Sequence, residues 1–222
     1  MSERITLVGL TGLAGTGKDA AALHLVREYG FVQASFADPI RSMVLQFLEE
    51  AGIDHAWVTE RPLKEEPIPG LGVSARELMQ TIGTECGRAL HRDVWVRHLH
   101  LRLGFGWFGA HGTFRPQPGM HAAQPMAPIH DRIVVSDVRF LNEAAWLRSI
   151  GGHLVRLHRE SAPGVRMHAS EQQVLDLAAH VDLWNNGPTL EGLHGLMDGV
   201  MADLGVERRE PVDPCYVNPS FG

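Results

Sequence analysis

A glycine-rich turn at residues 12–19, Gly-Leu-Ala-Gly-Thr-Gly-Lys-Asp, limits this chain to a small group of folds. It has the spacing G-x-x-x-x-G-K, follows an apolar, β-branched run at 4–10 and precedes an amphipathic helical pattern at 18–29. Glycines adopt positive φ without a Cβ in the way, so backbone N–H groups can surround phosphate oxygens, and the following helix directs its positive end at them. The predicted phosphate-binding residues are Gly12, Ala14, Gly15, Thr16, Gly17, Lys18 and Asp19, with the Lys18 ammonium reaching the β- and γ-phosphates.

Strand-like and helix-like patterns alternate along the rest of the chain. Ser74 and Glu77 form a capping box for a helix near 75–90, and Thr189 opens the last helix, which ends at Gly205. This alternation predicts an α/β fold, a parallel five-stranded sheet flanked by helices on both faces, of the P-loop NTPase type. The predicted strands cover 4–10, 31–36, 132–136, 153–159 and 181–184.

The length of 222 residues suits one domain. We expect a single P-loop domain over 1–206, in which a helical segment at about 53–103 binds a second substrate and a polar loop at about 159–170 forms a lid. Residues 104–131 are rich in Gly, Pro, His and Met without periodicity, and form an unassigned insertion, either a surface loop or a segment that orders over a ligand. Residues 207–222, with three prolines, are expected to form an extended tail.

Charge and cysteine content exclude several classes of protein. Twenty Lys and Arg against 26 Asp and Glu give a formal net charge of −6, which argues against a non-specific binder of nucleic acid or of a membrane surface. Cys86 and Cys215 have neither metal-ligand spacing nor a disulfide framework, and Cys86 is expected to be a small buried residue. No apolar run reaches the ~18–20 residues that span a bilayer. We therefore expect a soluble cytoplasmic protein with small-molecule partners, whose oligomeric state is open, a homodimer included.

Two carboxylates are candidates for a magnesium site. Asp19 stands where Ser or Thr follows the lysine in the common motif, and Ala20 offers no hydroxyl in its place. A carboxylate binds Mg²⁺ directly or through water, so the metal is compatible with Asp19. Asp137 follows a predicted strand, where an acid holds Mg²⁺ through water, accepts from a ribose hydroxyl or caps the next helix.

Ligands of open α/β sheets bind beyond the carboxyl ends of the strands, where further polar segments of this chain are expected. After the second strand, Phe36 is either a base-stacking ring or a core aromatic, and Arg41 follows in the same segment. Farther along, Arg76 and Arg88 are phosphate clamps or surface arginines, and Trp95 is a core residue or a base platform.

Two more features point to the same edge of the sheet. Gly83 and Gly87 interrupt a capped helix at a cost of about 1 kcal/mol each against alanine, which favours close approach of a ligand or of a packed helix. Arg139 lies two residues after Asp137 and is expected within hydrogen-bond reach of the same region.

The polar loop after the fourth strand carries Arg159 and Arg166, whose guanidinium groups suit a lid that closes over a transferring phosphoryl group; the alternative is a solvated loop. Asn185 and Asn186 form a tight turn after the fifth strand, which either borders an adenine ring or is a bare turn.

Six segments together carry a family resemblance: TGLAGTGKD (11–19), SFADPIR (35–41), RELMQTIGTECGRALHRDVW (76–95), DVRFLNEA (137–144), HASEQ (168–172) and NNGPTLEGL (185–193). In this order, over nearly the whole chain, they resemble the deoxynucleoside monophosphate kinases of phages and bacteria, within the P-loop nucleoside-monophosphate-kinase group. The Asp after the lysine is usual in that family, whereas this chain has Ala20 where the family usually has Thr.

The resemblance implies a nucleoside monophosphate kinase-like fold, ATP and Mg²⁺ as cofactors, and a nucleoside 5′-monophosphate as the phosphoryl acceptor, with ADP and a diphosphate as products. By motif match, and with the strand-end segments added, the residues that would bind the acceptor are Phe36, Arg41, Arg76, Gly83, Thr84, Arg88, Trp95, Asp137, Arg139 and Glu143.

The acceptor phosphate oxygen is already anionic, so we expect catalysis by positioning and charge neutralisation rather than by a strong general base. Lys18 would fix the donor, Arg76 and Arg139 would hold the acceptor in line, and Arg159 or Arg166 would neutralise the transferred group. Three alternatives remain: a P-loop kinase with another small acceptor such as dephospho-coenzyme A, a P-loop switch or ATPase module, and a non-catalytic nucleotide binder.

Overall fold

The computed structural model describes residues 5–104, 130–160, 174 and 176–211. The chain divides into two compact units: a sheet unit, Met1–Ser35 with Leu99–Gly222, and a helical unit, Phe36–His98. Most of the predicted insertion 104–131, of the lid 159–170 and of the tail 207–222 lies outside the described residues.

The sheet unit is built on five parallel strands. They are Thr6–Thr11 (β1), Val32–Ala34 (β2), Arg132–Val135 (β3), His153–His158 (β4) and Val181–Trp184 (β5), in the order β2-β3-β1-β4-β5. The chain first fills one side of β1 with β2 and β3 and then the other side with β4 and β5. The topological switch point, where open α/β sheets bind ligands, therefore lies at the carboxyl end of β1.

The helices of the described chain are Lys18–Tyr29 (α1), Asp38–Glu50 (α2), Ala56–Thr59 (α3), Arg61–Lys64 (α4), Ala75–Gln80 (α5), Gly87–Leu90 (α6), Val94–Arg102 (α7), Leu141–Ser149 (α8) and Leu190–Asp203 (α9). A π-helical turn, Thr81–Cys86, joins α5 to α6. None of these helices is both long and apolar enough to cross a membrane.

Helices cover both faces of the sheet, as predicted. Alternate residues of a strand face opposite ways, and Val8 and Leu10 of β1 share a buried cluster with Leu25 of α1 and Met197 of α9. Gly9 faces the other side, where an added Cβ would lie 2.5 Å from Leu147 of α8. The absence of a side chain at position 9 lets α8 pack closely, and the predicted fold class is confirmed.

A polar cluster fastens α1 to α9. Asp198 of α9 bonds through Oδ1 to His24 Nε2 at 2.7 Å and accepts from the Tyr29 hydroxyl at 2.8 Å, both from α1. Its other oxygen accepts from Arg208 at 2.9 Å. Burial, and then the bond to the Asp198 carboxylate, raise the pKa of Tyr29 above its ordinary value. The phenol therefore stays protonated and keeps donating in the neutral range.

The helical unit has its own core, built from residues of α2, α3 and α5 together with Ile68. The predicted capping box is confirmed, since the Ser74 N–H donates to Glu77 Oε2 at 2.8 Å and the Glu77 N–H donates to Ser74 Oγ at 3.2 Å. The bond from the Ser74 backbone N–H, and then the bond from the Ser74 hydroxyl to Glu77 Oε2 at 3.0 Å, hold the pKa of Glu77 below its usual value. The prediction of one regular helix over 75–90 is wrong between Thr81 and Cys86, where the turn is π-helical.

Candidate functional site

The glycine-rich turn directly follows β1 and ends where α1 begins. Gly12, Gly15 and Gly17 have φ of 139°, 78° and 102°, a region that side chains with a Cβ rarely adopt. Contacts exclude side chains as well: a Cβ on Gly12 would lie 2.3 Å from the Leu157 carbonyl oxygen of β4. A loop of this shape leaves its backbone N–H groups available to an anion.

Lys18 reaches back across this loop. Its ammonium donates to the carbonyl oxygens of Gly12 and Leu13, each at 2.7 Å. The Thr16 hydroxyl donates to the same Leu13 carbonyl at 2.9 Å. The positive charge is thus held over the loop by oxygen acceptors, which phosphate oxygens can replace.

The two asparagines after β5 serve two different segments. Asn185 is 5% exposed and donates from Nδ2 to the Thr16 carbonyl at 3.0 Å, so its amide contacts the phosphate loop itself. Asn186 is exposed and accepts at Oδ1 from the Glu160 N–H at 3.1 Å, at the exit of β4. The sequence predicts both residues beside an adenine ring. In the structure the Asn185 amide bonds the phosphate loop, and the Asn186 amide bonds the backbone just after β4.

Asp137 and Ser35 meet at the carboxyl edge of the sheet. β2 and β3 pair with Ala34 opposite Val135, so the residues that follow each strand are neighbours. The Ser35 hydroxyl donates to Asp137 Oδ2 at 2.6 Å. Helix α8 begins at Leu141, with Phe140 in the cap position, so Asp137 is not the N-cap of that helix.

Glu143 shapes the turn that carries Arg139. It is 2% exposed, and its Oε2 accepts from the N–H groups of Arg139 at 2.8 Å and Phe140 at 3.1 Å. The carboxylate thus satisfies backbone donors at the start of α8, while the Arg139 side chain is exposed. Of the predicted acceptor-binding residues, Asp137, Arg139 and Glu143 belong to the sheet unit.

The remaining predicted acceptor-binding residues belong to the helical unit, where most of the arginines have acidic or backbone partners. Arg76 is half exposed and pairs with Glu65 at 2.7 Å, and Arg41 pairs with Asp38 at 3.0 Å. Arg88 donates to the Arg92 carbonyl at 3.4 Å. Exposed pairs of this kind are weak, since water and salt screen them, so an anion can displace them at small cost.

The two aromatic residues of the helical unit that were predicted to bind the acceptor are buried. Phe36 is 4% exposed and Trp95 is 9% exposed. Trp95 Nε1 donates to the Gly83 carbonyl at 2.7 Å, and an added Cβ on Gly87 would lie 2.2 Å from the indole. Gly87 thus leaves room for the packed indole of Trp95, and the Gly83 carbonyl accepts its hydrogen bond. Thr84 lies on the π-helical turn with Gly83 and is half-buried.

A pocket beside the phosphate loop contains residues that sequence reasoning missed. It encloses about 400 Å³, its open mouth included, and Arg159, a predicted site residue, lines it. The His158 and Trp184 rings stack at 4.4 Å on its wall, and His158 Nε2 lies 2.7 Å from Asp182 Oδ1. The further lining residues are Gly12, Leu13, Thr16, Arg156, Leu157, Glu160 and Val174. The alternation in HLVRLHR and VDLW was the available signal, because it places Arg156 and His158 on one face of the first strand and Asp182 and Trp184 on one face of the second.

Several predicted residues lie elsewhere. Arg166 lies outside the described residues. Asp19 is exposed in the first turn of α1, and Cys86 is exposed, so the prediction of a buried cysteine is wrong. Within the described ranges no group of three or more His, Cys, Asp or Glu could hold a metal ion.

The known proteins that are similar to this chain include a mimiviral relative and a solved structure. The chain is 26% identical over 195 residues, 84% of this chain and 91% of the relative, to a "Putative deoxynucleotide monophosphate kinase" of Acanthamoeba polyphaga mimivirus. It is also similar to the solved structure of a sugar kinase from Janibacter sp. HTCC2649, with 14% identity, 96% of this chain and 99% of that chain covered, and a TM-score of 0.43. Structural similarity at that level supports no argument. No protein-family model matches the chain. The mimiviral relative confirms the resemblance that the motifs indicate.

Proposed function

We propose that this chain is a kinase that transfers the γ-phosphoryl group of ATP to a (deoxy)nucleoside 5′-monophosphate, giving ADP and the diphosphate. The observation that carries the proposal is the phosphate loop at the switch point of the sheet, with the Lys18 ammonium held across it at 2.7 Å from two loop carbonyls. The name of the mimiviral relative supports the choice of acceptor. The proposed partners are small nucleotides of the cytoplasm rather than nucleic acids or membranes.

The donor side follows from charge and geometry. Backbone N–H groups of the loop and the start of α1 bind the phosphates, and Lys18 exchanges its carbonyl partners for phosphate oxygens. The acceptor oxygen is anionic at neutral pH, so the transfer needs alignment and charge neutralisation more than proton removal. Arg139, exposed on a turn that Glu143 fixes, would hold the acceptor near this edge of the sheet. Arg159, beside the loop, would neutralise the transferred group.

The oxygen donors of the site fit Mg²⁺. The Asp137 carboxylate is oriented at the sheet edge by the Ser35 hydroxyl at 2.6 Å, and Asp19 is exposed in the first turn of α1. Mg²⁺ is commonly held by one or two carboxylates, with waters and substrate phosphates completing its shell. Asp137 and Asp19 would hold it, and when bound it neutralises charge on the phosphates.

The test is ADP release from ATP with Mg²⁺, measured across the ribo- and deoxyribonucleoside monophosphates. Lys18 and Lys64 are the two lysines of the sequence, so Lys64→Ala is the matched control for Lys18→Ala. We expect acceptor-dependent turnover that Lys18→Ala lowers by about 10²-fold or more and Lys64→Ala leaves near wild type. Near-normal activity of a folded Lys18→Ala protein would contradict the proposal. ATP binding without turnover on any monophosphate would point to another acceptor, such as dephospho-coenzyme A, or to a non-catalytic binder.

A further inference from the structure

We infer that Asn185 is a positioning residue, which holds the phosphate loop in the conformation that binds nucleotide. The inference rests on the proposed function. It assigns to the Asn185 side chain the support of the loop backbone rather than a contact with a base. It starts from one contact, the bond from Asn185 Nδ2 to the Thr16 carbonyl at 3.0 Å, between residues 169 positions apart in the chain.

Asn185 is held through both its backbone and its side chain. The Asn185 N–H donates to the His158 carbonyl at 2.8 Å, which anchors its backbone to the end of β4. With 5% of the residue exposed, water does not compete for the amide. The Cβ position of Gly17 lies 2.8 Å from Asn185 Nδ2, so the amide is seated directly against the loop backbone.

Holding the Thr16 carbonyl also sets the direction of a donor. The peptide group between Thr16 and Gly17 is planar and trans, so its C=O and N–H point in opposite directions. Because the carbonyl is turned to Asn185, the Gly17 N–H points to the other side of the loop. We assign that side to the phosphate, because loops of this spacing bind phosphate with their backbone amides.

A glycine loop needs such an external support. Gly17 has φ of 102°, and a residue without Cβ also tolerates other φ values, so rotation of the Thr16–Gly17 peptide meets little local resistance. Without the Asn185 amide the buried carbonyl would lose its donor and the peptide would sample other orientations. The nucleotide would then have to order the loop on binding, which weakens affinity.

Asn185→Asp and Asn185→Ala together separate this role from a general effect of charge. Aspartate keeps the shape, but its carboxylate cannot donate to the Thr16 carbonyl, whereas the protonated acid can. Burial and the adjacent Thr16 carbonyl favour the protonated form of a carboxyl at this position. Alanine is neutral and cannot donate at any pH.

The measurement is the Kd for ADP by calorimetry, from pH 8 to pH 5, with Gln46→Glu as the control for an added charge on an exposed amide of α2. At pH 8 we expect both Asn185 variants to bind about tenfold or more weakly than wild type. At pH 5, Asn185→Asp should recover to within about threefold of wild type and Asn185→Ala should not. Gln46→Glu should follow wild type throughout. The charged and titratable residues on the segments that bond Asn185 and Asn186, among them Lys18, His158, Glu160 and Asp182, are the same in all four proteins.

Two results would overturn the inference: wild-type affinity in Asn185→Ala, or equal affinities of the two Asn185 variants at pH 5. If Asn185→Asp does not fold at pH 8, Asn185→Ala alone decides, and a Kd within twofold of wild type overturns it. Wild-type protein that binds neither ADP nor ATP would refute the proposed function instead. The two failures are therefore distinguishable in one experiment.

Discussion

Replacing Gly87 by alanine tests whether the packing of Trp95 shapes the helical unit. The added Cβ would lie 2.2 Å from Cζ2 and 2.7 Å from Cε2 of Trp95, and 3.0 Å from the Ile82 carbonyl oxygen. The indole must move by about 1 Å to restore an ordinary contact of 3.4 Å. That movement also breaks the 2.7 Å bond from Trp95 Nε1 to the Gly83 carbonyl.

The contributions of this substitution to the free energy of unfolding have opposite signs, and their sizes decide whether Gly87→Ala stabilises or destabilises the protein. Alanine in place of glycine in a helix gains about 1 kcal/mol of intrinsic propensity. Loss of the buried indole hydrogen bond costs about 1 kcal/mol and offsets that gain. The remaining cost is overpacking, typically about 1–3 kcal/mol. We expect Gly87→Ala to lower the free energy of unfolding by about 1–3 kcal/mol.

Gly199→Ala is the matched control. Gly199 lies inside α9, is exposed, and has no heavy atom within 4 Å of its Cβ position. Only the propensity term applies, so this variant should be more stable by about 0.5–1 kcal/mol. The assay is urea unfolding followed by circular dichroism, with the midpoint compared at constant m.

Repeating Gly87→Ala in a Trp95→Phe protein tests whether the indole causes the loss of stability. Trp95→Phe removes the atoms that the new Cβ would meet, so Gly87→Ala should cost less there than in the wild-type protein. If Gly87→Ala stabilises the protein as Gly199→Ala does, or costs the same with phenylalanine at 95, the packing argument is wrong.

Two further predictions concern the loop and the acid stability of the sheet unit. Gly12→Ala combines a φ of 139° with a Cβ 2.3 Å from the Leu157 carbonyl oxygen. This variant should therefore lose ADP binding and have a lower Tm. Wild-type affinity for ADP, measured by calorimetry, would contradict the prediction. Hydrogen bonds from Arg209 lower the pKa of Asp131, so this pair stabilises the protein above the unfolded-state pKa of about 4 and loses that contribution as pH falls through the lower folded value. Arg209→Gln should therefore flatten the fall of the urea midpoint between about pH 7 and 3, and an unchanged slope would refute the assignment.

The parts of the fold that follow from neighbouring residues could be predicted from the sequence. The strand–loop–helix unit at the amino end depends on apolar periodicity and on glycines within one short stretch. The capping box of Ser74 and Glu77 needs only a spacing of three residues, and both of its bonds are present. In each case the partners are so close in the chain that no other part of the molecule has to be known.

The π-helical turn could not be predicted in this way. The Gly87 N–H bonds to the Ile82 carbonyl, five residues back, so the Gly83 carbonyl is left for Trp95 Nε1. The sequence shows two glycines in a capped helix, but not that an indole from α7 occupies the room they leave. Side-chain packing between elements decides the local backbone here, and no periodicity records it.

The wall of the pocket beside the loop illustrates an intermediate case. Alternation in β4 puts Arg156 and His158 on one face, and alternation in β5 does the same for Asp182 and Trp184. Which residue faces which depends on the register of two strands, Arg156 opposite Asp182 and His158 opposite Trp184, and register is a property of the folded sheet. The face of each strand on which these residues lie could therefore be predicted from the sequence, whereas the cross-strand pairs could not.

The phosphate loop itself combines both kinds of information. Its identity is local, because spacing and glycine content suffice to recognise it. Its shape is held by distant groups: the Leu157 carbonyl of β4 behind Gly12, and the Asn185 amide on Thr16. Both contacts are made by groups of the chain itself, within the sheet unit. Substitutions at these supports should therefore weaken nucleotide binding although none of the altered groups touches a phosphate.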